Sequence, residues 1–129
     1  MMVYPGTILL VDDEPVMRGL MRASLAALGA HLIEASEGNQ ALEMAWEQRP
    51  SLVILDVGLP LLNGIDVCRG LKTHLPAPRV LLITGNRYAD GIEDCGADRI
   101  IAKPFTPASL REEVERLLAV PAGSGIAAF

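Results

Sequence analysis

Aromatic and basic residues are scarce in this 129-residue chain, and both shortages restrict what it can be. Aromatic residues make up 4% of a sequence that is half hydrophobic, so a core must be built from Leu, Ile, Val, Ala and Met. Eleven basic residues against sixteen acidic ones give a formal net charge of -5. A surface of that sign repels phosphate backbones, which argues against direct nucleic-acid binding.

Cysteines and long apolar runs are also rare. Cys68 and Cys95 share no metal-ligand spacing with His31 or His74, and two thiols do not make a disulfide framework. We therefore expect the cysteines to be packing residues in a reducing compartment, and we assign the histidines no role. No stretch approaches the roughly 20 apolar residues of a membrane span, and no targeting segment is recognisable. These absences predict a cytoplasmic protein that does not enter a membrane.

The glycines form no phosphate-cradling loop. Neither Gly-x-x-x-x-Gly-Lys-Ser/Thr nor a Gly-x-Gly-x-x-Gly segment after the first apolar run occurs. A nucleotide enzyme or a dinucleotide dehydrogenase is therefore disfavoured.

Short apolar runs alternate with longer segments of helical period. This alternation is typical of βαβ units around a parallel sheet that is buried on both faces. It predicts an α/β fold with five strands and five helices. The predicted strands are residues 7–11, 31–35, 52–56, 79–83 and 99–102.

Residues that are typical of helix ends mark the boundaries of the helical segments. The first helix opens near Pro15 and stops at Gly29, and the second ends before Pro50. In the last, Thr106 can cap the free amides and an apolar stripe runs to about Val120. The length suits one domain, over residues 1–120, with residues 121–129 as a flexible tail or linker stump.

Polar side chains follow four of the five predicted strands. Asp12, Asp13 and Glu14 come after the first, whereas Asp56, Thr84 and Lys103 end or follow the third, fourth and fifth; these strand ends meet at one edge of a parallel sheet, where ligands bind. Taken singly, an Asp could cap a turn and Lys103 could be a solvated base. Together, three of these carboxylates (Asp12, Asp13 and Asp56), a hydroxyl and an ammonium predict a site.

Crowded carboxylates repel one another, and a hard divalent cation with oxygen ligands relieves that repulsion. Magnesium fits this description. A bound ion and a positioned Lys can also balance the charge of a phosphoryl group, and a carboxylate can accept that group as an aspartyl phosphate.

At this point the sequence resembles the receiver domains of bacterial two-component response regulators, from about residue 7 to residue 120. Any one of the matching motifs is weak, but the ordered set is specific. The motifs are Val11-Asp12-Asp13-Glu14, residues 56–64 (Asp-Val-Gly-Leu-Pro-Leu-Leu-Asn-Gly), Ile83-Thr84-Gly85, Gly96-Ala97-Asp98 and Lys103-Pro104-Phe105. The resemblance implies a flavodoxin-like, doubly wound (βα)5 fold with strand order 2-1-3-4-5.

The resemblance also implies a role for each residue of the site. Asp56 would be the phosphoacceptor, and Mg2+ would be held by Asp56, Asp13, Asp12 and the main-chain carbonyl of Gly58. Further residues with an implied role are Thr84, Gly85 and Lys103 as phosphoryl-binding groups, Thr84 with position 100 as the switch, and Pro104 as a cis-proline.

Three departures from the family pattern concern the output of such a switch. Ile100 stands where many members carry Tyr or Phe. Eleven residues lie between Thr84 and Gly96, so the fourth helix should be short or irregular. Gly58 and Gly85 replace larger residues that are commoner in the family.

The first hypothesis is therefore a receiver that takes a phosphoryl group from a histidine kinase or a histidine phosphotransfer protein and then switches binding to a downstream effector or to a second copy as a homodimer. It would assist its own phosphorylation and dephosphorylation without turning over a metabolite. A second hypothesis is a degenerate receiver that acts as a phosphorylation-independent docking or dimerisation module. A phosphatase-like enzyme ranks last, because no second acid or base closely follows Asp56.

Overall fold

Strands and helices alternate along the chain in the computed structural model, which describes residues 4–119. Five parallel strands form one sheet in the order β2-β1-β3-β4-β5. The strands are β1 (Thr7–Val11), β2 (His31–Ala35), β3 (Leu52–Asp56), β4 (Arg79–Thr84) and β5 (Arg99–Ala102). The predicted α/β class and strand order are confirmed, and only β4 runs one residue further than predicted.

Four α-helices lie between and after the strands within residues 4–119. They are α1 (Pro15–Leu25), α2 (Gly38–Gln48), α3 (Gly64–Lys72) and α4 (Pro107–Leu118). A 3-10 turn, Ala26–Leu28, extends α1 to Gly29. Gly29 has a left-handed backbone conformation, which is typical of the residue that ends a helix. The predicted end near Val120 and the predicted tail lie outside the described residues. No helix of the described part is both long and apolar enough to cross a membrane.

The prediction of five helices is wrong by one. Between β4 and β5 the chain forms only a 3-10 turn, Ile92–Asp94. Gly91, with φ of 82°, precedes this turn, and the segment before it is polar and mostly exposed. Too few apolar residues are available to pack a full helix on the sheet, which agrees with the expectation of a short or irregular element.

The sheet is buried on both faces because its residues alternate between two apolar layers. On one face, residues such as Leu9, Val53 and Leu82 pack against α2, α3 and the 3-10 turn. On the other, residues such as Ile54 and Ile83 pack against α1 and α4. Each fully buried aliphatic side chain contributes about 1.5–3 kcal/mol, so the two layers hold the strand ends in fixed register.

The last helix begins as its sequence predicts. Thr106 accepts a hydrogen bond from the amide of Ser109 at 3.0 Å, and Ser109 Oγ accepts one from the amide of Thr106 at 3.0 Å. Pro107 occupies the first turn, where no amide hydrogen is needed. This reciprocal cap fixes the start of α4 shortly after β5.

Candidate functional site

The carboxyl ends of the strands bring the predicted polar residues to one edge of the sheet. Asp56 and Thr84 are the last residues of β3 and β4, and Asp12 directly follows β1. Asp12, Asp56 and Thr84 are buried, whereas Asp13 is exposed. Lys103 directly follows β5, and its amide donates a hydrogen bond to the carbonyl of Thr84 at 2.8 Å. The site is therefore built from four neighbouring strands of a rigid sheet.

Three carboxylates converge at this edge. One oxygen each of Asp12, Asp13 and Asp56 can be chosen so that all lie within 4.8 Å of one another. Asp12 Oδ1 accepts a hydrogen bond from the amide of Glu14 at 2.9 Å. Its Oδ2 is buried and has no hydrogen-bond partner among residues 4–119. A buried carboxylate oxygen beside like charges is costly unless a cation meets it.

The pKa of Asp12 also indicates that this edge of the sheet suits a cation. Burial raises the pKa of Asp12 above its usual value, and the charges of Asp56 and Asp13 raise it further. The amide of Glu14 and the ammonium of Lys103 lower it, but by less than the combined opposing effects. The protein alone therefore does not fully compensate the charge that it concentrates here, and the donor set fits a hard divalent cation.

Lys103 contacts the central carboxylate directly. Its Nζ lies 2.9 Å from Asp56 Oδ1. Burial acts to lower the pKa of Lys103, but the hydrogen bond and charge of Asp56, with the charges of Asp12 and Glu14, outweigh it, so the pKa is raised. The ammonium is therefore held protonated beside Asp56. The Lys103–Pro104 peptide bond is cis.

The loop after β3 passes unusually close to Asp56. The amide of Gly64 donates to the carbonyl of Val57 at 2.9 Å, and a Cβ on Gly64 would lie 2.3 Å from the Asp56 carbonyl oxygen. Only glycine permits that approach. At Gly58 a Cβ would meet Asp56 Oδ2 at 3.5 Å, an ordinary contact, so this position leaves the carboxylate uncovered. Sequence reasoning missed the role of Gly64, for which the Asn-Gly pair at the helix start was the only signal.

Thr84 is turned toward the segment that follows it. Its hydroxyl donates to the carbonyl of Asn86 and accepts from the amide of Asn86, both at 2.9 Å. The side chain of Asn86 in turn accepts from the amide of Tyr88 at 3.0 Å. Gly85 has open space where a Cβ would lie. Sequence reasoning placed Thr84 at the site but missed its contacts with Asn86.

The remaining predicted residues lie apart from the carboxylates. Ile100 pairs with Leu82 in the sheet and is partly buried against the layer formed with α2 and α3. Cys68 and Cys95 are buried in the same layer, where burial raises the pKa of the Cys68 thiol, so their expected packing role is confirmed.

Arg18 is a further residue that the sequence did not reveal. Its Nη1 donates to the carbonyl of Asp12 at 2.7 Å, while its Nε contacts Glu34 of β2 at 2.9 Å. Arg18 thus ties the backbone of Asp12 to the neighbouring strand. An arginine one turn into a helix carries no pattern that distinguishes it from a solvated one.

Comparisons with known proteins agree with this geometry. Residues 8–115 match the response regulator receiver domain family. The transcriptional regulatory protein KdpE of Mycobacterium tuberculosis is 42% identical over 100 residues, which cover 76% of this chain and 44% of that protein. TcrX of the same organism, described as a probable transcriptional regulatory protein, is 38% identical over 95% of this chain and 52% of its own length. The chain thus spans about half the length of these relatives.

Solved structures give the same result. The signal receiver domain of a signal transduction histidine kinase from Syntrophus aciditrophicus superposes with a TM-score of 0.83 at 30% identity, covering 95% of this chain and 97% of that one. The chain belongs to the response regulator receiver domain family. Receiver domains are signalling switches of two-component systems, and they bind Mg2+ at an acidic pocket of the kind formed here by Asp12, Asp13 and Asp56.

Proposed function

We propose that this receiver domain accepts a phosphoryl group on Asp56 from the phosphohistidine of a sensor histidine kinase or a histidine phosphotransfer protein, in a reaction that requires Mg2+. The observation that carries the proposal is the surroundings of Asp56. Carboxylate oxygens of Asp12, Asp13 and Asp56 lie within 4.8 Å of one another, and Lys103 Nζ is 2.9 Å from Asp56. These residues would supply a nucleophile, ligands for a cation and an ammonium group, which are the parts that phosphoryl transfer requires.

Asp12, Asp13 and Asp56, with the main-chain carbonyl of Gly58, would hold the magnesium ion. The buried and unpartnered Oδ2 of Asp12 supports this assignment, because it leaves a lone pair for which residues 4–119 supply no donor. When bound, the ion supplies positive charge that offsets the carboxylates and the phosphoryl oxygens.

In the transfer, an oxygen of Asp56 attacks the phosphorus atom. The bond between phosphorus and the donor imidazole nitrogen breaks, its electron pair leaves with that nitrogen, and a bond between oxygen and phosphorus forms. Lys103, already paired with Asp56, would then pair with a phosphoryl oxygen. The hydroxyl of Thr84 and the amide of Gly85 would donate to others.

The output of the switch would be a change in the population of two surface conformations. We assign its start to Thr84, whose hydroxyl must leave Asn86 to reach a phosphoryl group. Ile100, an aliphatic side chain packed on the core, would take the place of the usual aromatic partner. The partner that reads the change would be a downstream effector protein or domain, or a second copy of this chain.

The test is the intact mass of the protein after incubation with acetyl phosphate. We expect a gain of one phosphoryl group in the presence of Mg2+, no gain when the metal is removed with EDTA, and none in Asp56→Asn. Asp66→Asn is the matched control, because this exposed carboxylate on α3 lies outside the site, and it should gain the group as the wild type does.

A second readout separates failure of transfer from failure to bind the metal. Mg2+ should raise the melting temperature of the wild type and of Asp66→Asn more than that of Asp12→Asn, since binding to the folded state alone stabilises it. Stabilisation by Mg2+ without any mass gain would refute phosphoryl transfer and favour the phosphorylation-independent docking module. Equal phosphorylation of wild type and Asp56→Asn would refute the assignment of the acceptor.

A further inference from the structure

A cavity of about 530 Å3 lies at the amino-terminal edge of the sheet. Its lining includes Ser51 and Arg79, which begin or immediately precede β3 and β4. Asp56 and Thr84 end those same strands at the opposite edge, and a strand of five residues spans roughly 16 Å. The cavity is therefore a second concave region, separate from the acidic site.

Aromatic and aliphatic surface forms one wall of the cavity. Trp46 at the end of α2 and His74 after α3 lie with their ring centroids 4.7 Å apart and their planes tilted by 38°. Trp46 remains 45% exposed and Leu75, beside them, 87% exposed. Side chains of this size are usually buried, so this wall offers apolar surface that a flat ligand could cover.

The charged side chains that line the cavity are basic, whereas the chain as a whole is acidic. Arg49, His74 and Arg79 contribute to the lining, and no Asp or Glu does among residues 4–119. Arg79 donates to the carbonyl of Leu117. Within the same described range, the guanidinium of Arg49 engages in no hydrogen bond or ion pair. In a chain with a formal net charge of -5, this lining is a locally basic region.

We propose that this cavity binds a small aromatic carboxylate, with the ring against Trp46 and Leu75 and the carboxylate on Arg49. The volume falls within the range of ordinary small-molecule sites, and the combination of an apolar wall with a few polar groups is typical of them. The basic side chains of the lining favour an anion over a neutral ligand. The site is independent of the phosphoacceptor function.

Tryptophan fluorescence reports on this cavity, since Trp46 is the only tryptophan of the chain. The probe is biphenyl-4-carboxylate, and its neutral match is biphenyl-4-carboxamide, with isothermal titration calorimetry as a second readout. We expect saturable one-to-one quenching by both compounds. The carboxylate should bind about fivefold more tightly, which corresponds to the upper end for a partly exposed ion pair.

Two arginine variants separate a local contact from general attraction. Arg49→Gln should abolish the preference for the carboxylate while it leaves binding of the carboxamide unchanged. Arg87→Gln removes the same charge from an exposed position after β4, and it should bind as the wild type does, as should Asp56→Asn. Equal affinity for the two compounds, an equal loss in both arginine variants, or quenching without saturation would each overturn the proposal.

Discussion

The close approach of Gly64 to Asp56 makes a sharp prediction about one methyl group. In Gly64→Ala the added Cβ would lie 2.3 Å from the carbonyl oxygen of Asp56 and 2.7 Å from Cα of Val57. Ordinary contacts begin about 1 Å further away, and both neighbours are backbone that the sheet holds in place. Overpacking of this kind costs about 1–3 kcal/mol. The loss should appear although Ala is the better helix former at the start of α3.

Gly85 supplies the matched control. It follows β4 at the same edge of the sheet, but a Cβ there would meet no atom within 4 Å. Gly85→Ala should therefore change the free energy of unfolding by no more than about 0.5 kcal/mol. The same methyl group added at two glycines of one site thus gives two different outcomes.

Urea unfolding followed by far-ultraviolet circular dichroism measures both variants. At roughly 3–6 °C per kcal/mol for a chain of this size, a cost of about 1–3 kcal/mol means that Gly64→Ala should also melt about 3–18 °C below Gly85→Ala. The Val57 amide, which donates to the carbonyl of Ile83 at 2.9 Å, should shift in the NMR spectrum of Gly64→Ala, because relief of the overlap must move this peptide. Coincident unfolding midpoints for the two variants would refute the reasoning.

Two further predictions concern the ion pairs that brace the sheet. Hydrogen bonds and charges from Arg22 and Arg18 lower the pKa of Glu34 below its ordinary value of 4.5. The interactions of Glu34 with these arginines therefore stabilise the fold fully above pH 4.5, and this stabilisation is lost as the pH falls through the lowered pKa. Glu34→Gln should therefore cost about 0.5–1 kcal/mol at pH 7, with a difference from wild type that vanishes in acid; a difference that persists there would contradict the sign. Asp98 accepts from the buried amide of Val80 and from Lys72, both at 2.7 Å, so Asp98→Ala should cost about 2 kcal/mol in urea unfolding and more than Asp98→Asn, which keeps an acceptor. Equal losses in the two Asp98 variants would argue that the Val80 amide contributes nothing.

The elements of the sheet could be predicted because burial on both faces leaves a plain mark in the sequence. A strand such as β3, covered by helices on either side, reads as an uninterrupted apolar run, and its end is marked by Asp56. The rule that parallel strands end at one edge then brings Asp12, Asp56 and Lys103 together without any knowledge of the loops. The position of these residues at the ends of predicted strands is enough to predict this part of the site.

What could not be predicted depends on distances that the sequence does not record. The contact of Gly64 with the Asp56 backbone results from how the loop after β3 folds back, and a glycine at a helix start is compatible with many backbone paths. The two hydrogen bonds of Thr84 with Asn86 depend on the local turn after β4. Between β4 and β5 a 3-10 turn stands where a helix was predicted, and this outcome depends on a balance between packing and helix propensity.

Asn86 and any group bound at the acidic edge of the sheet compete for the hydroxyl of Thr84. Any group at the acidic edge that draws this hydroxyl toward itself must break both hydrogen bonds, which together stabilise the segment by about 1–3 kcal/mol. Asn86 then loses the anchor from which it holds the amide of Tyr88, a residue that is 90% exposed. The strength of the local turn therefore sets a threshold: a weakly bound group leaves the segment as it is, and only one that binds Thr84 more tightly releases it.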